Sequence, residues 1–156
     1  MNVSAIMTRN LILVSPEDSV EVAIDLLRRR GIRHLLVAKN NRLVGIVSDR
    51  DIKRALDPRK TRKKLLGVGG LFFLMEPILV REIMTPDPMT IGPNLSVQDA
   101  ATIMVAERFG ALPVVRGGEA VGIVTETDLL RYFAQARTDR TKEAGKARQS
   151  RPKRKA

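Results

Sequence analysis

Residues 45–51 read Gly-Ile-Val-Ser-Asp-Arg-Asp, and residues 122–128 read Gly-Ile-Val-Thr-Glu-Thr-Asp. The two stretches lie 77 positions apart, and the chain aligns with itself at that shift without a gap. Residues 3–8 then fall over residues 80–85, and both of these segments end in Ile-Met-Thr. Because self-similarity at a fixed period marks a repeated structural unit, the sequence predicts one fold used twice.

Each copy predicts the order strand, helix, strand, strand, helix. In the first copy the expected elements are a strand at 11–14, a helix from Val20 that ends at Gly31, a hairpin that turns at 40–41, and a helix at 49–56. In the second copy, Ser96 and Asp99 form a capping box, Gly117-Gly118 supplies the turn, and the last helix runs from Glu126 to about Ala134. A unit of about 55 residues is marginally stable alone, so two units are expected to pack sheet to sheet. The fold class is α+β, with approximate two-fold symmetry.

The net charge of +11 comes mainly from the C-terminal end of the chain. Residues 137–156 contain nine Lys or Arg and two Asp or Glu, with almost no large apolar residue. This composition predicts a disordered tail. Two interpretations of the tail stay open: a solubilising extension, and nonspecific contact with nucleic acid through its phosphates.

The predicted boundaries are 1–58 for the first unit, 59–79 for a connector, 80–136 for the second unit and 137–156 for the tail. The connector is first basic and then apolar, and we expect a short helix from about Leu71. Its apolar stretch is shorter than the roughly 20 residues of a membrane span and contains Glu76, so no membrane association is expected. The chain starts without a secretory signal pattern, and the expected location is the cytoplasm.

These motifs resemble those of cystathionine β-synthase-type (CBS) domains. The resemblance lies in the Met-Thr pair, the Gly-Ile-Val strand, the Ser/Thr followed three residues later by Asp, and the strand Leu112–Val115 with its Pro113. The first copy has Leu36 where that proline would stand. The resemblance covers about residues 3–56 and 80–133. It implies a Bateman module, in which clefts between two CBS units hold AMP, ADP, ATP or S-adenosylmethionine, and which commonly forms a homodimer.

The two equivalent acids of the repeat, Asp51 and Asp128, have two interpretations. A carboxylate accepts hydrogen bonds from both hydroxyls of a ribose, and the Ser48 or Thr125 hydroxyl lies at a helix start, where phosphate is favoured. The same Ser-x-x-Asp and Thr-x-x-Asp patterns are also capping boxes that stabilise a helix without any ligand. Both interpretations stay open at this point.

The basic residues predict two clefts that are not equivalent. Arg33 and His34 precede the second strand of the first copy, where the family places residues that meet phosphates, whereas the second copy has Gly110 and Ala111. Arg50 lies inside the first motif and Thr127 takes its place in the second. His34 has an alternative role as a packed or solvated residue at a strand edge.

The resemblance also implies a place for the adenine ring, near Thr8 and Thr85 and the apolar residues that follow them, with Ile46 or Ile123 over its face. Ordinary strand starts are the alternative for the two threonines. The candidate ligand-binding residues are Thr8, Ile12, Arg33, His34, Ile46, Ser48, Arg50, Asp51, Thr85, Met89, Ala111, Pro113, Ile123, Thr125, Thr127 and Asp128.

The function expected from these features is that of a regulatory module that senses an adenosine nucleotide and acts on an unknown effector protein, with no obligatory cofactor. The alternative is a nucleic-acid-associated protein that uses its basic tail, with the CBS pair as a dimerisation scaffold. An enzyme is not expected, because one histidine, no cysteine, no metal-spaced cluster and no glycine-rich phosphate loop leave few groups for catalysis.

Overall fold

The computed structural model describes residues 1–57, 59, 65–68, 71–74 and 76–135. The tail predicted at 137–156 lies outside the described residues, so its disorder and its contact with nucleic acid stay predictions. The elements in chain order are a 3-10 helix at Val3–Ala5, β1 Leu13–Val14, α1 Val20–Arg30, β2 His34–Lys39, β3 Arg42–Ser48, α2 Asp49–Ala55, β4 Leu65–Val68, β5 Leu71–Leu74, α3 Val80–Ile83, β6 Thr85–Pro86, α4 Val97–Glu107, β7 Ala111–Arg116, β8 Glu119–Thr125 and α5 at 126–135.

The local signals of the repeat are confirmed. Gly31 ends α1 with φ 60°, in the left-handed region where glycine carries no steric penalty. The Ser96 hydroxyl accepts a hydrogen bond from the backbone N–H of Asp99 at the start of α4. Asn40 and Asn41 both have positive φ in the first hairpin turn, as do Gly117 and Gly118 in the second. The α+β fold of two related units is therefore present.

The sheets of the two repeated units are built in the same way. In the first, β1 is parallel to β2, β2 is antiparallel to β3, and β3 is antiparallel to β6. In the second, β7 is antiparallel to β8, Ile91 forms a parallel bridge with Val114, and Thr8 forms an antiparallel bridge with Ile123. The entry segment of each unit is the stretch before its first strand: residues 3–8 in the first unit and residues 80–86 in the second. Thr8 pairs with the sheet of the second unit, and β6 pairs with the sheet of the first. The entry segments are therefore exchanged between the two units.

The hydrophobic cores show the same exchange. Val3 and Met7 are buried in the core of the second unit, whereas Ile78 and Val80 are buried in the core of the first. Two equivalent backbone bonds fix the exchange: the Val3 N–H donates to the Leu95 carbonyl at 2.8 Å, and the Val80 N–H donates to the Asp18 carbonyl at 2.8 Å. Each unit therefore needs the entry segment of its neighbour to complete its interior.

Two glycines allow the entry segments to cross β3 and β8 closely. A Cβ placed on Gly122 would lie 2.5 Å from the Met7 sulfur and 3.2 Å from the Thr8 carbonyl oxygen. A Cβ on Gly45 would lie 2.5 Å from the Met84 sulfur and 3.1 Å from the Thr85 carbonyl oxygen. The Gly-Ile-Val motif thus has a structural role, since only glycine leaves room for the crossing chain.

The short helix expected from Leu71 is wrong. Leu71–Leu74 is a strand, and it pairs antiparallel with Leu65–Val68. Two four-residue apolar runs separated by Gly69-Gly70 are a hairpin pattern, and phenylalanine favours strands. Among the helices within the described ranges, none has the length and apolar character that a membrane crossing requires.

Candidate functional site: two clefts between the units

The larger of two clefts has a volume of about 450 Å³ and is lined by three segments of the chain. One segment lies before β1, another joins α1 to β2, and the third runs from the end of β8 into α5. The predicted residues that line this cleft are Thr8, Ile12, Arg33, His34, Ile123, Thr125, Thr127 and Asp128. Because the first two segments belong to the first copy and the third to the second, the site exists only when the units are paired.

The smaller cleft has a volume of about 240 Å³ and is lined by the end of β3, the start of α2 and the segment between α4 and β7. The predicted residues here are Ile46, Ser48, Arg50, Asp51 and Ala111, with Arg33 and His34 again present. Arg33 and His34 therefore lie in the wall that the two clefts share.

Three predicted residues line neither cleft. Thr85 is exposed and pairs with Ile46 in the first sheet, and Met89 is also exposed. Pro113 is almost fully buried within β7, packed away from both clefts.

Residues absent from the prediction also line the clefts. In the larger cleft these are Asn10, Leu11, Arg30, Gly31, Ile32, Leu36 and Arg131, and in the smaller cleft they are Asp49, Arg54, Arg108, Phe109, Gly110 and Glu126. The repeat itself carries a signal for some of them, because Arg131 lies 77 positions after Arg54, and Glu126 lies 77 positions after Asp49.

The two acids of the repeat do cap helices. Asp51 accepts hydrogen bonds through Oδ2 from the Ser48 N–H at 2.8 Å and from the Ser48 hydroxyl at 2.7 Å. Asp128 accepts through Oδ2 from the Thr125 N–H at 2.9 Å and from the Thr125 hydroxyl at 2.7 Å. The capping interpretation is therefore confirmed.

Capping uses only one oxygen of each carboxylate. Oδ1 of Asp51 makes no hydrogen bond with any described residue, and Oδ1 of Asp128 lies 3.5 Å from an Arg131 guanidinium nitrogen. Both side chains line a cleft. An anionic oxygen at such a position can accept hydrogen bonds from ligand hydroxyls, so capping and ligand binding are compatible.

His34 is half-buried in the wall between the clefts. The pKa of His34 is lowered from the ordinary value of 6.5, mainly by burial and also by the neighbouring charge of Arg33. Three acids raise this pKa by a smaller amount: Asp49, Glu126 and Asp51. A Cβ on Gly110 would lie 3.1 Å from His34 Nε2, so the imidazole packs closely over that glycine. The direction of this pKa shift favours the neutral imidazole at pH 7.

The lowered pKa predicts a loss of stability in acid. The unfolded chain takes up a proton on His34 below pH 6.5, whereas the folded chain does so only at a lower pH. The stability that neutral His34 contributes is therefore complete above pH 6.5. It is lost as the pH falls towards the pKa of the folded state. Denaturant unfolding of the wild type and of His34→Gln between pH 7.5 and 5 (roughly the range in which histidine titrates) should show a steeper decline for the wild type. Parallel declines would contradict the assignment.

A model of the CBS domain matches the chain twice, over residues 3–58 and 80–135. The chain therefore belongs to the CBS domain family, as its motifs predict. It is 42% identical over 122 residues to an inosine-5'-monophosphate dehydrogenase of Korarchaeum cryptofilum, a match that covers 78% of this chain and 22% of that enzyme. The chain spans between 22% and 45% of the length of the first three curated relatives that it matches.

Solved structures of CBS domain pairs are similar over most of the chain. CBSX2 of Arabidopsis thaliana in complex with AMP has a TM-score of 0.70 and 33% identity, and the match covers 87% of this chain and 98% of that one. The CBS domain pair of protein MJ0100, in complex with 5'-methylthioadenosine and S-adenosyl-L-methionine, has a TM-score of 0.73 and 27% identity over the same shares. Similar CBS pairs thus bind adenosine compounds.

Proposed function

We propose that this protein is a regulatory module that binds an adenosine nucleotide in the larger cleft and transmits the bound state to a partner protein. The observation that carries the proposal is the joint presence, in one cavity between the units, of the Asp128 carboxylate and three arginines. The AMP complex of the similar CBSX2 supports the choice of ligand class.

The cleft offers a partner to each part of such a ligand. Oδ1 of Asp128 accepts from the ribose hydroxyls, while Oδ2 keeps its bonds to Thr125. Thr8, Ile12 and Ile123 form a mixed polar and apolar surface for the adenine. The chemistry of this lining supports the proposed roles of these residues.

The charge of the larger cleft favours a ligand that carries phosphate. Arg30, Arg33 and Arg131 line it, against the single acid Asp128. Guanidinium groups bind phosphate through paired hydrogen bonds, whereas S-adenosylmethionine brings a cationic sulfonium and offers them only one carboxylate. AMP, ADP or ATP is therefore the proposed ligand, ahead of S-adenosylmethionine.

The proposed output is contact with another chain rather than catalysis. On α5, Leu130 and Phe133 are 70% and 45% exposed, which gives an apolar surface next to the nucleotide-binding end of that helix. We propose that this surface contributes to a homodimer or to the contact with the effector protein.

Thermal unfolding with AMP, ADP, ATP and S-adenosylmethionine tests the proposal. A ligand that binds only the folded state at about 100 times its Kd adds about 2.7 kcal/mol, which for a domain of this size raises Tm by roughly 5–10 °C. We expect this rise with at least one adenine nucleotide and a smaller rise with S-adenosylmethionine. GMP is the control for phosphate binding elsewhere on this basic chain. An equal response to AMP and GMP, or none to any adenine nucleotide, would reject the proposal.

A further inference from the structure

The strands β4 and β5 form a hairpin that belongs to neither repeated unit, and it is called the connector hairpin below. Among the described strands, β4 and β5 pair only with each other. They lie between the two regions that the CBS model matches, residues 3–58 and 80–135. A shift of 77 positions places them over the basic tail, so the repeat contains no second copy of them. The chemistry of this hairpin is therefore particular to this chain and is not explained by the CBS fold.

Both faces of the connector hairpin are apolar. Successive residues of a strand lie on opposite faces, and residues that oppose each other across an antiparallel pair share a face. The register places Leu65, Gly67, Phe72 and Leu74 on one face, and Leu66, Val68, Leu71 and Phe73 on the other. A hairpin that packs on a domain through one face usually presents polar residues on the opposite face. Here neither face has a polar residue, so the face turned away from the protein requires an apolar partner.

The sequence just before the connector hairpin carries a high positive charge. Five Lys or Arg occur at positions 59, 60, 62, 63 and 64, and no Asp or Glu occurs from position 58 to position 75. The last of these cations, Lys64, directly precedes the first residue of β4, Leu65. A partner that meets both features must offer anionic groups next to an apolar surface.

Three kinds of partner differ in how well they meet this requirement. A second copy of the chain would bring five more cations towards the first five, and like charges repel. A nucleic acid pairs with cations and stacks on aromatic rings, but it offers no apolar surface to the five Leu and Val residues of the hairpin. The surface of an anionic bilayer has charged headgroups directly above hydrocarbon, so it pairs with the cations and with the apolar face together.

We propose that the connector hairpin binds the surface of a bilayer that contains anionic phospholipid, with the preceding cations on the headgroups and one apolar face in the interfacial layer. A two-stranded sheet leaves backbone N–H and C=O groups unpaired along its outer edges, and hydrocarbon cannot satisfy them. The hairpin therefore lies at the level of the headgroups and does not span the bilayer. The sequence argument against a membrane concerned a spanning helix, and this mode of binding needs no span. The inference goes beyond the proposed function, since it concerns a surface outside both CBS units.

Tryptophan fluorescence with lipid vesicles tests the inference, because the chain contains no tryptophan of its own. Phe72→Trp and Phe73→Trp place one probe on each face of the connector hairpin. Val105→Trp is the control, since Val105 is 80% exposed on α4. With vesicles of phosphatidylcholine and phosphatidylserine in equal parts, the emission of at least one hairpin probe should shift to shorter wavelength, and that of the control should not. Vesicles of phosphatidylcholine alone should give a much smaller shift.

Removal of charge beside the connector hairpin provides a second measurement. Lys63→Gln/Lys64→Gln should weaken binding to the anionic vesicles about 30-fold, at about fivefold for each cation near an anionic surface. Lys153→Gln/Lys155→Gln removes the same charge from the basic tail and is the matched control, with a smaller loss expected. Vesicle co-sedimentation measures the affinity, and a Tm equal to that of the wild type shows that each variant is folded.

Unchanged emission of both hairpin probes with anionic vesicles would overturn the inference. Equal losses of affinity in the two double variants would do so too, because they would show attraction by net charge alone. A shift to shorter wavelength that grows with protein concentration without lipid would show that a second copy covers the hairpin. A shift with single-stranded RNA and none with vesicles would identify a nucleic acid as the partner. Either of these last results would also reject a bilayer as the partner.

Discussion

Asp128→Ala should weaken AMP binding by about 10- to 100-fold, because it removes the acceptor of both ribose hydroxyls. A lost hydrogen bond to a charged group costs about 1.5–3 kcal/mol, and each 1.4 kcal/mol is a factor of ten in Kd. The substitution also removes the acid of the capping box at the start of α5, so stability should fall by about 1 kcal/mol. Isothermal titration with AMP measures the affinity, and denaturant unfolding measures the stability.

Asp99→Ala separates these two effects. Asp99 accepts a hydrogen bond from the Ser96 hydroxyl at 2.7 Å, as Asp128 does from Thr125, but it lies at the start of α4 and lines neither cleft. This variant should keep the AMP affinity of the wild type and lose somewhat less stability than Asp128→Ala, because Asp128 accepts a further bond from the Thr125 N–H. If Asp128→Ala binds AMP as tightly as Asp99→Ala does, the acid acts only as a cap and the ribose assignment is wrong.

Gly122→Ala should lower the free energy of unfolding by about 1–3 kcal/mol, the usual cost of forcing extra volume into a packed site. The new methyl group would lie 2.5 Å from the Met7 sulfur and 3.2 Å from the Thr8 carbonyl oxygen, so the entry segment must move away from β8. The bridge between Thr8 and Ile123 would be strained as a result. For a chain of this size Tm should fall by roughly 3–10 °C.

Gly92→Ala is the matched control for this substitution. Nothing lies within 4 Å of a Cβ at Gly92, and its φ lies outside the left-handed region. Its stability should be unchanged or slightly higher, because alanine restricts the unfolded chain.

Met7→Ala should also cost less in the Gly122→Ala background than in the wild type, since the two side chains compete for one space. Strict additivity of the two substitutions would show that the close crossing does not control stability.

The sequence predicts the elements of each unit because their signals are local. Glycine at 31 and the asparagines at 40–41 occupy positions that need positive φ, and Ser96 caps a helix through a residue three positions away. The period of 77 transfers the turn signal, from the asparagines at 40–41 to Gly117-Gly118, whereas Arg108 takes the place of Gly31 at the end of α4. The family membership follows from the same duplicated motifs, which the comparison with the CBS model confirms.

The features that the sequence does not predict depend on contacts between distant segments. The exchange of Val3 and Val80 between the two cores depends on how the units pair, and no local pattern encodes it. The shared wall at His34 arises in the same way, because residues from both copies meet there. The connector differs from the prediction for another reason. Its glycines disfavour a helix, but in the sequence they also separate two apolar runs, and these runs pair as strands.

AMP titrated into protein with isotope-labelled isoleucine methyl groups locates the ligand most directly. Ile12 and Ile123 line the larger cleft from opposite units, whereas Ile78 is buried in the core of the first unit. The methyl signals of Ile12 and Ile123 should shift together and saturate at one AMP affinity, while that of Ile78 stays in place. Saturation of AMP binding without any shift at Ile12 and Ile123 would contradict a nucleotide site between the two units.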